Sequence, residues 1–269
     1  MDQEAVALLA ALLAYGKVKQ IRSSVEDALS RIQGIAESPS EFVRKVRDPV
    51  FYRRAEKAFR GFVHRFNLGC DLVLLFQLLS LSWDEYGSFG GHFVSHLDPK
   101  AQNIGPALEK LIADWRCWEK NQLGFNKKND TFSYLLTSPK DGSCCKRWCM
   151  FLRWVGRHDD LDVGLWTEAG ALKLKKWLRP DQLVIPLDTH TGRISQYLGL
   201  TSRKTLGWLA AVEVTEALKK CAPKDPIRYD FSISRLGILD LCQKAFRVEI
   251  CLQCDLLPVC QFAKAGLKK

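Results

Sequence analysis

The sequence predicts an all-α fold. Three observations carry that expectation. Apolar residues recur at helical spacing along most of the chain, no stretch alternates apolar and polar residues as a half-buried strand does, and serine, proline and glycine stand where helices start and stop. No repeat of solenoid length runs through it.

The elements follow in order. Glu4–Tyr15 is apolar on nearly every side, as a buried helix is, and ends near Gly16. Ile21–Ile32 places Ile21, Val25, Ala28, Leu29 and Ile32 on one face. SPSEFVRKV, Ser38–Val46, opens with Ser38 and Ser40 as candidate caps and a proline in the first turn. Tyr52–Phe66, Asp71–Tyr86 and Ile104–Trp118 are amphipathic, and YGSFGGHF, Tyr86–Phe93, reads as a glycine-rich turn. A second set begins around Phe132. TFSYLLTSP, KDGSC and CKRWCMFLRWVGRH read as helix, tight polar turn, helix, over about 132–157. The acidic, tryptophan-bearing HDDLDVGLW is next. LVIPLDTHTGRISQYL then reads as an extended approach, a stop at Pro186 and a helix starting after Asp188, whose carboxylate suits the free amides of a first turn. Two further helices lead into the tail.

Composition narrows the partners. The chain's 269 residues suffice for one large or two modest domains. Forty Lys and Arg against thirty Asp and Glu leave a net charge of +10, which favours DNA, RNA or anionic lipid without choosing among them. The longest apolar run near the start, Ala5–Tyr15, is too short to span a bilayer, and it follows Asp2 and Glu4 rather than a basic leader. A cytosolic protein is therefore expected, with ten cysteines held as thiols or metal ligands rather than disulfides.

Four of those cysteines crowd the tail. Cys242, Cys251, Cys254 and Cys260 follow the order C-x8-C-x2-C-x5-C within nineteen residues. Cys251 and Cys254 form one knuckle, Cys260 lies beyond the Pro258 turn, and Cys242 reaches in from the preceding helix. Zinc favours two such knuckles. One knuckle with two lone cysteines suits a 4Fe-4S cubane better, with zinc as the alternative and a plain thiol-bearing core as the other. The remaining six, Cys70, Cys117, Cys144, Cys145, Cys149 and Cys221, sit in apolar helical contexts and read as core thiols.

A helical chain with this cysteine tail, a helix–turn–helix element before it and LDTHTGR between them resembles the helix–hairpin–helix DNA glycosylase superfamily, the endonuclease III-like group in particular. Across AALLAYGKVKQ, SPKDGSCCKRWCMFLRWVGRHDD, GLW, LVIPLDTHTGR and YDFSISRLGI it is similar to an uncharacterised bacterial branch of that superfamily. The resemblance implies a two-lobed fold: a helical-barrel lobe over 1–178 that carries the hairpin, and a C-terminal lobe over 179–269 with an iron–sulfur cluster loop. It implies a base-excising DNA repair enzyme, a partner in double-stranded DNA with a damaged or modified base, a monomer, and a place in the bacterial cytoplasm at the nucleoid. The first cysteine gap is longer than in the endonuclease III type.

The resemblance also assigns roles. The hairpin turn, Gly142-Ser143-Cys144, would offer backbone amides to a DNA phosphate, although Cys144 stands where a second glycine is usual. Lys146 falls at the Schiff-base lysine, with Lys140 as the fallback and a simple phosphate contact as the plain alternative. As a neutral amine, favoured by desolvation or by cations such as Arg147 and Lys140, it would attack the sugar C1′. Asp188 falls at the essential aspartate, where a fixed negative charge stabilises the sugar cation. Capping and catalysis are compatible there. Lys146 and Asp188 stand 42 residues apart, farther than in endonuclease III. Tyr15 occupies the place of a residue that plugs the vacated base stack; its plain alternative is the last core residue of a helix. Lys17 and Lys19 would hold adjacent phosphates, Arg193 another, and His190 would pack the helix start. Trp148, Trp154 and Trp166 are either a base pocket or core. His158, Asp159 and Asp160 read as a solvated loop, with a local acid/base or metal group as the alternative. Two further readings stay open: a monofunctional glycosylase, and a non-catalytic binder of damaged or unusual nucleic acid on the same scaffold.

Overall fold

The structure, a computed structural model, describes residues 1–123 and 130–268. These are mostly helical, with strand confined to two short segments. The chain forms two compact units: 1–138 with 151–179, and 139–150 with 180–269. The expected division placed the hairpin turn in the first lobe. Instead 139–150 belongs with the C-terminal residues, and bonding explains it: Trp208 N donates to Gly142 O at 3.4 Å, and Lys146 faces Asp188.

The first unit contains α1 (Asp2–Leu12), α2 (Val18–Gln33), α3 (Pro39–Lys45), α4 (Pro49–Phe59), β1 (Val63–His64), β2 (Asn67–Leu68), α5 (Gly69–Tyr86), α6 (Phe89–Ser95), α7 (Gly105–Asn121) and α8 (Asp130–Ser133). Helix α9 (Lys146–Gly156) starts in the second unit and belongs to the first from Phe151 on. At the centre α5 is buried from Leu72 to Trp83 and touches α3, α4, α6 and α7.

Local chemistry sets the helix ends. Ser38 Oγ accepts from Glu41 N at 3.1 Å and Pro39 takes the first helical position of α3. Asp48 accepts from Val50 N and Phe51 N at 3.0 and 2.8 Å with Pro49 next in line, so α4 starts ahead of the expected Tyr52. It also stops short of Phe66. Gly61 and Arg65, at φ +78° and +56°, turn the chain into a small hairpin that pairs Val63 with Leu68 and His64 with Asn67.

YGSFGGHF is largely helix, not turn. Gly87 at φ +77° closes α5, and Ser88 Oγ accepts from Gly91 N at 2.8 Å to open α6. Gly90 is there for space, since a Cβ would lie 2.6 Å from Trp166 Nε1.

The start of α6 is held by Glu4, which is fully buried. One carboxylate oxygen accepts from Gly90 N at 2.8 Å and Trp166 Nε1 at 2.9 Å. The other accepts from Trp83 Nε1 and Phe89 N, both at 3.0 Å. Phe89 N and Gly90 N are first-turn amides of α6, which have no partner within the helix. Burial pushes the Glu4 carboxyl up, and the four donors pull it back.

The second unit contains α10 (Thr189–Tyr197), α11 (Trp208–Lys219), α12 (Asp230–Ile238), α13 (Val248–Cys251) and α14 (Gln261–Gly266), with 3-10 turns at Pro139–Asp141, Pro180–Gln182 and Pro226–Tyr229. Leu183–Leu187 is buried and lies before α10. Helix α10 packs on α12 and α14. His190 sits against Gly237, where a Cβ would come within 2.7 Å of the His190 Cβ. No described helix is long and apolar enough to cross a membrane.

Glu4→Ala would leave four buried N–H donors unmatched, and each such donor costs about 1–3 kcal/mol. Urea unfolding should show a loss of at least ~3 kcal/mol. A loss below ~1 kcal/mol would mean that water replaces the carboxylate without strain.

Candidate functional site

In the second unit the chain is bent at Gly142, φ +74°, and again at Cys145, φ +49°, a left-handed conformation for a residue with a side chain. Gly142 N donates to Pro139 O at 2.9 Å, and Ser143 Oγ accepts from Cys145 N at 3.1 Å. Gly142 is exposed, while Ser143 and Cys144 are half-buried. Helix α9 begins immediately after this turn, with Lys146 as its first residue.

Lys146 Nζ lies 3.7 Å from Asp188 Oδ2, with side-chain exposures of 34% and 25%. The two oxygens of Asp188 do different work. Oδ1 accepts from His190 N and Thr191 N, both at 2.9 Å, and caps α10. Oδ2 faces the lysine. A cap consumes one oxygen, so the same carboxylate presents fixed charge to an amine across the site.

The four tail cysteines line one cavity, together with apolar side chains that include Leu241, Leu257 and Phe262. Cys242 follows α12, Cys251 ends α13, Cys254 lies in the next turn and Cys260 caps α14, its Sγ accepting from Ala263 N at 3.4 Å. Their sulfurs do not close into a group with all donors within 4.8 Å of one another. Thiolates around one zinc stand ~4 Å apart, closer than these sulfurs stand as a group. Helix α10 holds the loop in place. Arg193 Nη2 donates to Cys242 O at 2.9 Å, Tyr197 Oη donates to Lys244 O at 3.0 Å, and the Tyr197 ring stacks on Phe262 at 4.0 Å. Arg193, expected to touch phosphate, is thus a brace of the cysteine loop. Lys244 and Arg247 are exposed on that loop.

The other expected residues are scattered. Lys17 and Lys19 are exposed at the start of α2 in the first unit. Tyr15 is half-buried there and tethered. Its hydroxyl meets Asn67 Oδ1 and lies 3.1 Å from His64 O, and its ring packs on Phe66 and Tyr134 at 5.3 and 5.1 Å. The exposed rings of that cluster are Phe66 and Tyr134. Helical spacing over Tyr52–Phe66 hides the β1–β2 turn that presents Phe66. Trp148 and Trp166 are fully buried. His158, Asp159 and Asp160 are exposed, whereas Asp162 is buried against Arg153 and Arg157.

The expectation of six core thiols is corrected for three. Cys145 and Cys149 are buried, and burial pushes the Cys149 thiol well up, with Cys145, Cys144 and Asp230 adding to the shift. Cys70, Cys117 and Cys221 are exposed. They stand at the start of α5, on the outer face of α7 and just beyond α11, where helical spacing places them away from the core.

A family described as protein of unknown function (DUF2400) matches residues 1–239, a span that includes Lys146 and Asp188 and ends before Cys242. No curated protein and no solved structure matches the chain.

Asp188→Ala should cost about 1 kcal/mol through the lost cap, and Asp188→Asn under ~0.5 kcal/mol because an amide oxygen still caps. Thermal unfolding checks the pair, and equal losses would show that the cap contributes nothing.

Proposed function

The chain belongs to the DUF2400 family, and we propose that it is a DNA glycosylase with abasic-site lyase activity, on a helix–hairpin–helix scaffold that binds double-stranded DNA and flips out a damaged or modified base. One observation supports this above the rest: Lys146 and Asp188, distant in sequence, meet at 3.7 Å while the other Asp188 oxygen is committed to a helix cap.

In this reaction the neutral Lys146 amine forms a bond to C1′ as the bond from C1′ to the base breaks. The base departs with the electron pair and takes up a proton. The Asp188 carboxylate stabilises the positive charge that develops on the sugar, and Oδ2 receives the proton released from Nζ. The C1′–O4′ bond of the sugar ring then breaks as the nitrogen lone pair forms the C=N bond, O4′ takes up a proton, and the result is a ring-opened, protonated Schiff base at C1′. Loss of a C2′ proton then breaks the C3′–O bond by β-elimination. The turn at 142–144 and the exposed Lys17 and Lys19 supply contacts for phosphate.

Cys242, Cys251, Cys254 and Cys260 would hold a 4Fe-4S cluster. Such a cluster supplies a rigid, electron-rich core to the loop that displays Lys244 and Arg247. No bond-making step needs it.

A second reading, a non-catalytic binder of unusual nucleic acid, draws on one feature. Cys144 stands in the turn where a glycine would let phosphate approach, and the left-handed residue is Cys145.

Two measurements test these readings. Borohydride trapping on duplex DNA with an abasic site should give a covalent band that Lys146→Ala abolishes, and Asp188→Asn should slow base release about 10²-fold or more. Wild-type protein that binds this DNA without a band removes the Schiff-base route. Anaerobically purified protein should contain about four irons per chain, with broad visible absorption that Cys254→Ser removes. One tightly held zinc and no iron would replace the cluster with a zinc knot.

A further inference from the structure

The first unit holds a separate set of metal-ligating side chains. His92 lies on α6, and His96 is the capping residue that follows its C-terminus, one turn on. Their Nε2 atoms converge on the same oxygen of Asp114 on α7, at 3.1 and 2.6 Å. Among the described residues, this is the one group of three or more His, Cys, Asp or Glu whose donor atoms all lie within 4.8 Å of one another.

Hydrogen bonding assigns the tautomer of His92. Ser82 Oγ lies 3.1 Å from Leu78 O, a contact it makes only as donor, and accepts from Trp115 Nε1 at 2.9 Å. A hydroxyl has one proton and two acceptor sites. The 3.0 Å contact between Ser82 Oγ and His92 Nδ1 therefore has the ring nitrogen donating. With Nδ1 donating to Ser82, Nε2 is the nitrogen left to face the Asp114 carboxylate, 3.1 Å away, with a positive charge, a proton or a metal ion, between them. The ring cannot turn away. Tyr86 stacks on it at 4.3 Å, Trp118 lies at 5.0 Å, and the side chain has no exposure. His96 and Asp114 stay partly open, at 20% and 36%, so the site is reached from solvent.

We propose that His92, His96 and Asp114 bind one divalent transition-metal ion of the zinc class through two imidazole nitrogens and a carboxylate oxygen, clipping α6 to α7. Two histidines and a carboxylate with an open position suit such an ion. Ser82 is the outer partner that orients the deeper ligand. The inference does not depend on the DNA chemistry or on the cysteine loop.

Zinc chloride titrated into the intact protein against a chromophoric chelator tests it. The comparison uses wild type, His96→Gln, Asp114→Asn and Cys254→Ser, each checked for helix content. Wild type and Cys254→Ser should share a site whose affinity falls about 10- to 100-fold in His96→Gln and in Asp114→Asn. Zinc should raise the thermal midpoint of wild type and not of those two variants. Equal zinc binding and equal thermal response in wild type, His96→Gln and Asp114→Asn would overturn the proposal. So would no zinc uptake by wild type, the outcome if a proton fills the gap instead.

Discussion

A carboxylate sealed from water must find donors within the protein, and Glu4 finds four. They come from the end of α5, the first turn of α6 and the indole of Trp166. The bond to Trp166 joins residues 162 positions apart. This demand explains several features at once. The helix must begin at Phe89 because its free amides are what the carboxylate binds. Gly90 must lack a side chain because Trp166 occupies that space. The apolar helix α1 can be buried with an acid in its first turn because the acid is fully matched. Once α6 is set in this way, its next turn directs His92 and His96 toward Asp114 on α7.

The second unit uses a carboxylate differently. Asp188 is partly exposed and needs only one oxygen to satisfy the first amides of α10. The other is left for Lys146. A capping aspartate has a fixed geometry because its helix holds it, so the negative charge near the amine is positioned before any ligand arrives. Preorganised charge of this kind is what transition-state stabilisation requires.

Helix α10 joins the two parts of that unit. Asp188 caps its N-terminus. Farther along, Arg193 and Tyr197 grip the cysteine loop through backbone carbonyls, and Tyr197 covers it with a ring stacked on Phe262. Disturbing the cysteines would therefore reach the aspartate along one short helix. The family match includes the lysine and the aspartate but ends before the cysteines, so the proposed chemistry and the proposed cluster lie in different stretches of sequence while sharing this helix.

The sequence alone determined what depends on near neighbours. Helical spacing marked the main helices, Ser38 and Asp188 were legible as caps, and the spacing of Cys242, Cys251, Cys254 and Cys260 marked them as a set. Each signal spans a few turns of chain. Tertiary structure decided the rest. It made YGSFGGHF a helix, since Glu4 and Trp166 lie far away in sequence. It tethered Tyr15 to Asn67, moved 139–150 into the unit of Trp208 and Asp188, and exposed Cys70, Cys117 and Cys221. It also brought His92 and His96 to Asp114, which no spacing motif connects. Spacing reports which face of a helix is apolar, but only packing decides which distant polar group that face must accept as a partner.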